Sequence, residues 1–263
     1  MLSEIFFILL GLIAGSFLNV VICRLPRKGS IVRPPSRCPQ CGTRLAWFDL
    51  VPLISYLALR GKCRHCGERI SFRYPAVELL TAALFLVVFI TVTERAKLGY
   101  LPGLHLPWVL AKDLFFAAGL IAATFIDLEH RLIPDRLNLA LLAGAVALVP
   151  QAGDVTLKSA VLGGAAAGGA LLLLGLLFKG GMGGGDIKLA AVSGLYLGWP
   201  GAVIGLFIGA VLGGIVGISL MVARIKGRKD FIPFGPFMSA GFLAALLWGG
   251  EIIQSYRSYF GVG

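Results

Sequence analysis

Charge is scarce in this chain. Asp, Glu, Lys and Arg together make up 14% of the 263 residues, against about 25% in an ordinary soluble domain. Acid is scarcest: 13 Asp and Glu face 24 Lys and Arg, a formal net charge of +11. So little charge excludes a disordered tail and a nucleic-acid-binding arm. Five cysteines in a chain of this length do not make a small disulfide scaffold. There are only three histidines, and Glu129-His130 has no first His at 124–126, so the H-E-x-x-H zinc-protease pattern is missing. Ser193 follows Val192 and has no His partner at membrane depth, which argues against a serine intramembrane protease. No Gly-rich strand-to-helix nucleotide motif occurs. Only Glu4 precedes the apolar run Ile5–Ile22, and no small-x-small cleavage site follows it. The run is therefore a retained anchor rather than a signal peptide.

What fills the chain is apolar: 57% of it is hydrophobic. A hydrocarbon core about 30 Å thick needs roughly 20 apolar residues per helical crossing. Apolar runs fall near 4–22, 75–92, 108–126, 137–150, 159–178, 187–199, 201–222 and 232–250. They predict an all-α, polytopic membrane bundle of about eight transmembrane helices, the sixth short and ended by Pro200-Gly201. Glycines recur in the later runs, among them Gly163, Gly164, Gly168, Gly169, Gly209, Gly213 and Gly217. Small residues let helix backbones approach closely in lipid, and packing is their simplest role.

The excess positive charge is concentrated. Residues 23–73 hold eleven Lys and Arg against two acids, Asp49 and Glu68. The positive-inside rule puts this loop in the cytoplasm. Counting eight crossings from there returns the basic segment with Arg224, Lys226, Arg228 and Lys229 to the same side. Both termini are then outside the cytoplasm, and the turns near 127–136 and 179–186 face it. The chain divides into a first helix (1–22), a basic loop domain (23–73) and a transmembrane core (74–263). The basic loop is suited to anionic lipid headgroups, at about 1 kcal/mol per nearby Lys or Arg.

That loop also carries Cys38-Pro-Gln-Cys41 and Cys63-Arg-His-Cys66, each pair followed directly by glycine, Gly42 and Gly67. Two C-x-x-C knuckles present four thiolates to one tetrahedral Zn²⁺. A pair of disulfides is disfavoured in a reducing compartment, and a redox C-x-x-C does not ordinarily come twice with matching glycines. The loop is too poor in apolar residues for a core of its own, so metal binding would supply folding energy. His65 lies inside the second knuckle but four cysteines complete the tetrahedron. Cys23 lies outside the pattern and reads as a buried small apolar residue. His105 reads as a solvated loop residue.

Ionisable groups at membrane depth are costly and commonly functional. Asp127 closes the run Leu120–Ile126, and Asp186 follows Gly183-Gly184-Gly185. The topology puts both at the cytoplasmic ends of their helices, where they are able to meet. Two facing carboxylates share a proton. One then takes a proton from water while the other donates to a carbonyl, which is aspartic-protease chemistry. The bare glycine triplet lets a peptide approach and interrupts the helix. Plainer roles exist for each acid: Asp186 as a helix N-cap, Asp127 as an i,i+4 partner of Arg131, and Asp135, after Pro134, as the N-cap of the fourth run.

Four segments together resemble the type IV prepilin peptidases, bifunctional leader peptidases and N-methyltransferases of pilus and type II secretion systems. They are Gly15-Ser-Phe-Leu-Asn19 continuing to Arg24-Leu-Pro26, the cysteine tetrad, Ile126-Asp127-Leu-Glu-His-Arg-Leu-Ile-Pro134-Asp135, and Gly183-Gly-Gly185-Asp186. The last is similar to the G-x-G-D motif of presenilin-type proteases. The resemblance implies a multi-pass protein of the bacterial inner membrane. It implies prepilin or pseudopilin substrates with a short basic leader and an apolar helix, cut after a glycine at the cytoplasmic face. The new amino terminus is then methylated from S-adenosylmethionine. Asp127 and Asp186 match the family's catalytic pair, and Asp135 its more variable companion. The glycines 183–185 would line the peptide's path.

The methyl-donor pocket is the least legible part. Glu78, near the start of the second run, is a candidate for binding an ammonium or sulfonium, or a partner for Arg73 or Arg24. Gly61, before the second knuckle, is a turn residue that could shape the pocket. Two other classes fit parts of the chain: a proton-coupled transporter using the two aspartates and a broken helix near 179–186, and a membrane scaffold that docks a partner on its zinc loop. Nucleic acid is not an expected partner.

Overall fold

The computed structural model describes residues 2–99, 105–178, 182–225, 227 and 232–260. Among them are eight α-helices and no named strand: α1 (Leu2–Arg24), α2 (Ile54–Ala58), α3 (Arg73–Lys97), α4 (Leu106–His130), α5 (Asp135–Ala152), α6 (Leu157–Leu177), α7 (Gly184–Val222) and α8 (Gly235–Phe260). A 3-10 turn covers Trp47–Leu50. Six helices, all but α2 and α5, are long and apolar enough to cross a membrane. The chain is a multi-pass, all-helical membrane protein. It forms two compact units, residues 1–94 and 95–263.

In the first unit α1 and α3 run antiparallel. Phe7 stacks on Phe89 with ring centroids 4.3 Å apart. Further along, a side chain on Gly11 would lie 2.5 Å from the Ala82 Cα, and one on Gly15 would lie 2.7 Å from the Glu78 Cα. Glycine is what allows the two backbones to touch. At the end of the pair, the buried Asn19 donates its amide to the Tyr74 carbonyl at 3.0 Å. Cys23 is half-buried rather than buried, at the last turn of α1.

The second unit corrects one boundary. The sixth and seventh apolar runs are one element, α7, of 39 residues. At 1.5 Å per residue a straight helix of that length would reach about 58 Å, roughly twice the hydrocarbon thickness. It is not straight. Gly198 (φ 62°) and Trp199 leave helical geometry, and the chain turns back. In the first leg Gly185 lies against Ile133 and Gly198 against Val155 and Ser159. In the second leg Gly205 lies against Phe242 and Gly217 against Ile232. Each leg therefore traverses the bundle once. Ser159 clamps the turn: its hydroxyl donates to the Trp199 carbonyl and accepts from the Trp199 amide, both at 2.9 Å. With this turn the eight apolar runs all appear as helical legs. Lys226, Arg228 and Lys229 lie outside the described residues, as do residues 179–181.

Glycine sets the spacing between α6 and the first leg of α7. A side chain on Gly163 would lie 2.6 Å from the Gly198 backbone, and one on Gly168 2.6 Å from the Ala191 methyl. Tyr196 is wholly buried, stacked on Phe116 at 4.5 Å, and its hydroxyl donates to the Leu141 carbonyl at 2.7 Å. At this end of the unit, away from residues 127 and 186, sits a buried ionic group. The Lys112 ammonium reaches Asp113 at 3.1 Å and pairs with Asp154. Arg95 grips Glu251 at 2.9 Å and the Leu247 carbonyl at 2.7 Å.

Candidate active site

The last turn of α4 delivers Asp127, 4% exposed. Its Oδ2 accepts the backbone N–H of Gly235 at 2.9 Å. A Cβ added at Gly235 would sit 2.7 Å from that same oxygen, so only glycine leaves room for the contact. Arg131 does not supply the i,i+4 ion pair considered above. It turns left-handed (φ 54°) and closes α4 with its own N–H on the Asp127 carbonyl, 2.9 Å.

The first turn of α7 delivers Asp186, half-buried. Its Oδ1 is shielded from solvent with no hydrogen-bond partner among the described residues. Gly185, beside Asp186, lies against the Ile133 carbonyl in the turn that directly follows Asp127, so two residues 59 positions apart in sequence are brought to one locality. The glycine triplet is only partly what the sequence suggests. It does not interrupt a helix. Gly183 is the N-cap, with its carbonyl accepting the Asp186 N–H at 3.1 Å, and Gly184 and Gly185 are already helical. Asp186 is thus in the first turn and not the cap itself. A side chain on Gly183 would lie 2.6 Å from the Asp186 carboxylate, and one on Gly185 would lie 2.6 Å from the Ile133 carbonyl. Gly184 faces open space.

Two further residues complete the surroundings. Asn138, buried on α5, donates its amide to the Gly185 carbonyl at 3.2 Å and so holds the turn that carries Asp186. Asp135 is the first residue of α5, not its cap, and pairs with Lys188 at 2.6 Å on the exposed rim. Sequence reasoning missed Asn138 and Gly235. Gly235-Pro236 is a recognisable helix start, but no spacing rule links it to an aspartate 108 residues earlier.

The cysteine tetrad also assembles. The sulfurs of Cys38, Cys41, Cys63 and Cys66 all lie within 4.8 Å of one another, and Cys38 and Cys66 are 3.8 Å apart. Four sulfurs about 2.3 Å from one zinc lie about 3.8 Å from each other, so the set fits a tetrahedral ion. The two knuckles repeat one design. The Gly42 amide bonds to Cys38 and the Gly67 amide to Cys63, both at 3.0 Å, with φ of 68° and 73° at the glycines. Bridges Arg37–Arg44 and Lys62–Arg69 close the turns. Thr43 hydrogen bonds, side chain before backbone, lower the Cys41 thiol to about 6. At Cys66 the Glu68 amide favours the thiolate but is outweighed by burial and by the neighbouring thiols, which push it up to about 12. Sulfurs competing for few protons are what a cation relieves. His65 is exposed and outside the set.

Glu78 is buried in the first unit, and its Oε2 accepts the Leu53 N–H at 2.9 Å. Gly61 (φ 68°) forms a turn against the Tyr56 ring, bonding to Tyr56 and Ile70 through its backbone.

Residues 9–92 match the model of the bacterial peptidase A24 N-terminal domain, and residues 114–218 match that of the type IV leader peptidase family. A prepilin leader peptidase/N-methyltransferase from Aeromonas salmonicida is 39% identical over 282 residues, covering 95% of this chain and 92% of its own. The chain belongs to the type IV leader peptidase family. Relatives bearing the same name in Bacillus subtilis (36% identity, 97% of this chain and 98% of its own) and Pseudomonas aeruginosa (34%, 97% and 93%) span it equally fully. No solved structure matches. This leader peptidase family membership sets aside the transporter and scaffold readings.

Proposed function

We propose that this family member removes the short basic leader of type IV prepilins or pseudopilins with Asp127 and Asp186, then methylates the new amino terminus. The observation that carries the reading is the convergence of the segments bearing these two carboxylates, one held by the Gly235 amide and one with a buried oxygen that has no hydrogen-bond partner among the described residues. One carboxylate accepts a proton from the attacking water while the other, protonated, donates to the scissile carbonyl oxygen. The roles exchange as the amine leaves with a proton. Asp127, held in place by the Gly235 amide, is positioned to begin as the base. The bare Gly183–Gly184 edge lets an extended peptide lie close to Asp186.

The basic loop puts the tetrad in the cytoplasm, and helix parity brings residues 127 and 186 to the same face of the inner membrane. The substrate's basic leader stays on that side by the same rule. Cys38, Cys41, Cys63 and Cys66 would hold Zn²⁺ as a structural ion that folds the loop. S-adenosylmethionine would supply the methyl group. Glu78 and Gly61, the candidates for its pocket, are engaged in the loop's own fold, so they would act on the donor through the segment they hold.

The test is incubation of purified protein with a prepilin and S-adenosylmethionine, with mass spectrometry of the product. Wild type yields a shortened, methylated pilin. Asp127→Asn and Asp186→Asn each yield uncut prepilin while remaining folded. Normal cleavage by either variant refutes the dyad. Elemental analysis finds metal in the wild type, and Cys63→Ser loses it.

A further inference from the structure

An apolar groove of about 540 Å³ lies in the second unit between α6, the second leg of α7 and the start of α8. Its floor is a single stripe of α7: Val203, Leu206, Phe207, Ala210, Gly213 and Gly214. These fall at helical spacing on one face. The stripe runs over twelve residues, Val203 to Gly214, about 16 Å, or roughly three turns of a second helix laid beside it. It is bulky at Phe207, which is 68% exposed, and bare at the other end. A Cβ added at Gly214 meets nothing within 4 Å.

The bare end is walled by residues next in sequence to the glycines that contact the two carboxylates. Met182 lines the groove there and precedes Gly183, the cap against which the Asp186 carboxylate rests. Phe234 also lines it and precedes Gly235, whose amide holds Asp127. Each carboxylate is therefore tied to the residue next to a groove wall. We infer that this groove receives the first three turns of the apolar helix that follows the scissile bond, laying its start at the aspartates. A ligand with no polar side chains suits walls that present none, and the small residues Ala210, Gly213 and Gly214 allow close backbone approach where the peptide must unwind for cleavage. The groove would then set the register of the cut: leader to one side of the carboxylates, apolar helix to the other.

This inference rests on the dyad reading, and the experiment separates the two. The full-length protein in lipid nanodiscs carries Asp186→Asn, so that bound prepilin stays whole. A photoreactive phenylalanine analogue replaces Phe207 or, as control, Val146, which is 70% exposed on α5. Capture of prepilin from position 207 and not from 146 is expected. In the otherwise wild-type protein, Gly214→Leu fills open space without a clash and is expected to raise KM for prepilin about tenfold or more. If position 207 captures only lipid, or Gly214→Leu cleaves with wild-type KM, the groove assignment is overturned. If instead Asp186→Asn itself cleaves, the dyad falls while the cross-link still reports on the groove.

Discussion

Gly235→Ala tests the geometry of the proposed site with the smallest possible change. The added methyl would stand 2.7 Å from the Asp127 Oδ2, 3.0 Å from its Cβ and 3.1 Å from its Cγ. Carbon contacts relax at about 3.5–4.0 Å, so one partner must move by about 0.5–1 Å. Both backbones are in helices, and the carboxylate is the softer party. It swings away and loses the 2.9 Å hydrogen bond from the Gly235 amide. A hydrogen bond to a charged group is worth about 1.5–3 kcal/mol, and misplacing a reacting group by about 1 Å costs up to about 100-fold in rate. The expectation is a kcat for leader cleavage down by about 100-fold, with KM near wild type and a melting temperature lowered by only a few degrees. Methylation of an already cut pilin should be unaffected. Gly217→Ala is the control, since its Cβ would meet only the Ile232 Cδ1 at 3.7 Å, an ordinary contact. Cleavage is followed by mass spectrometry and folding by a thermal melt. A folded Gly235→Ala protein that cleaves within about threefold of wild type would refute the claim that this amide positions the base.

Three further outcomes follow from the same structure. Asn138→Leu removes the bond to the Gly185 carbonyl and should lower kcat for cleavage about tenfold with unchanged KM; steady-state kinetics decide it. Lys112→Met leaves Asp113 and Asp154 without their shared cation, a loss of about 3–5 kcal/mol for a buried pair. The melting temperature should fall, and Asp154→Asn in the same chain should recover part of it. Chelator treatment should take the ion from Cys38, Cys41, Cys63 and Cys66 and loosen the loop they fold, so that iodoacetamide labels all four thiols, whereas in untreated protein they are protected. Peptide mapping that finds the four thiols labelling equally fast with and without chelator would contradict this.

Much of this architecture is legible before any coordinates, for reasons particular to membranes and metals. Lipid penalises every charge, so Asp127 and Asp186 stand out against apolar runs, and lipid thickness fixes the length of each leg. The tetrad is legible because its chemistry demands a fixed spacing, and the glycine after each knuckle follows from the left-handed turn there. What spacing does not carry is contact between distant segments. Asn138 and Gly235 act on the aspartates' surroundings from other helices, and each is an unremarkable residue in its own stretch. The turn at Gly198 is a similar case: Pro200 marks an ending, but the clamp that makes it a reversal is Ser159, 40 residues before the Trp199 it holds.

The glycines show the same division most clearly. In the sequence those of the later helices form one class, small residues that let helices pack. In the structure they separate by what a methyl group would strike. At Gly163 and Gly168 it would meet the neighbouring helix, so substitution there works against the fold and should appear as lost stability. At Gly183 and Gly235 it would meet a carboxylate oxygen, of Asp186 and Asp127 respectively. A displaced side chain leaves most of the apolar packing intact, so substitution there should appear first as lost turnover. At Gly214 it would meet nothing, and only a larger side chain in the groove should be felt. Glycine in this bundle thus does three jobs that composition cannot distinguish: it brings backbones together, it frees space for two acids, and it leaves a surface open for another helix.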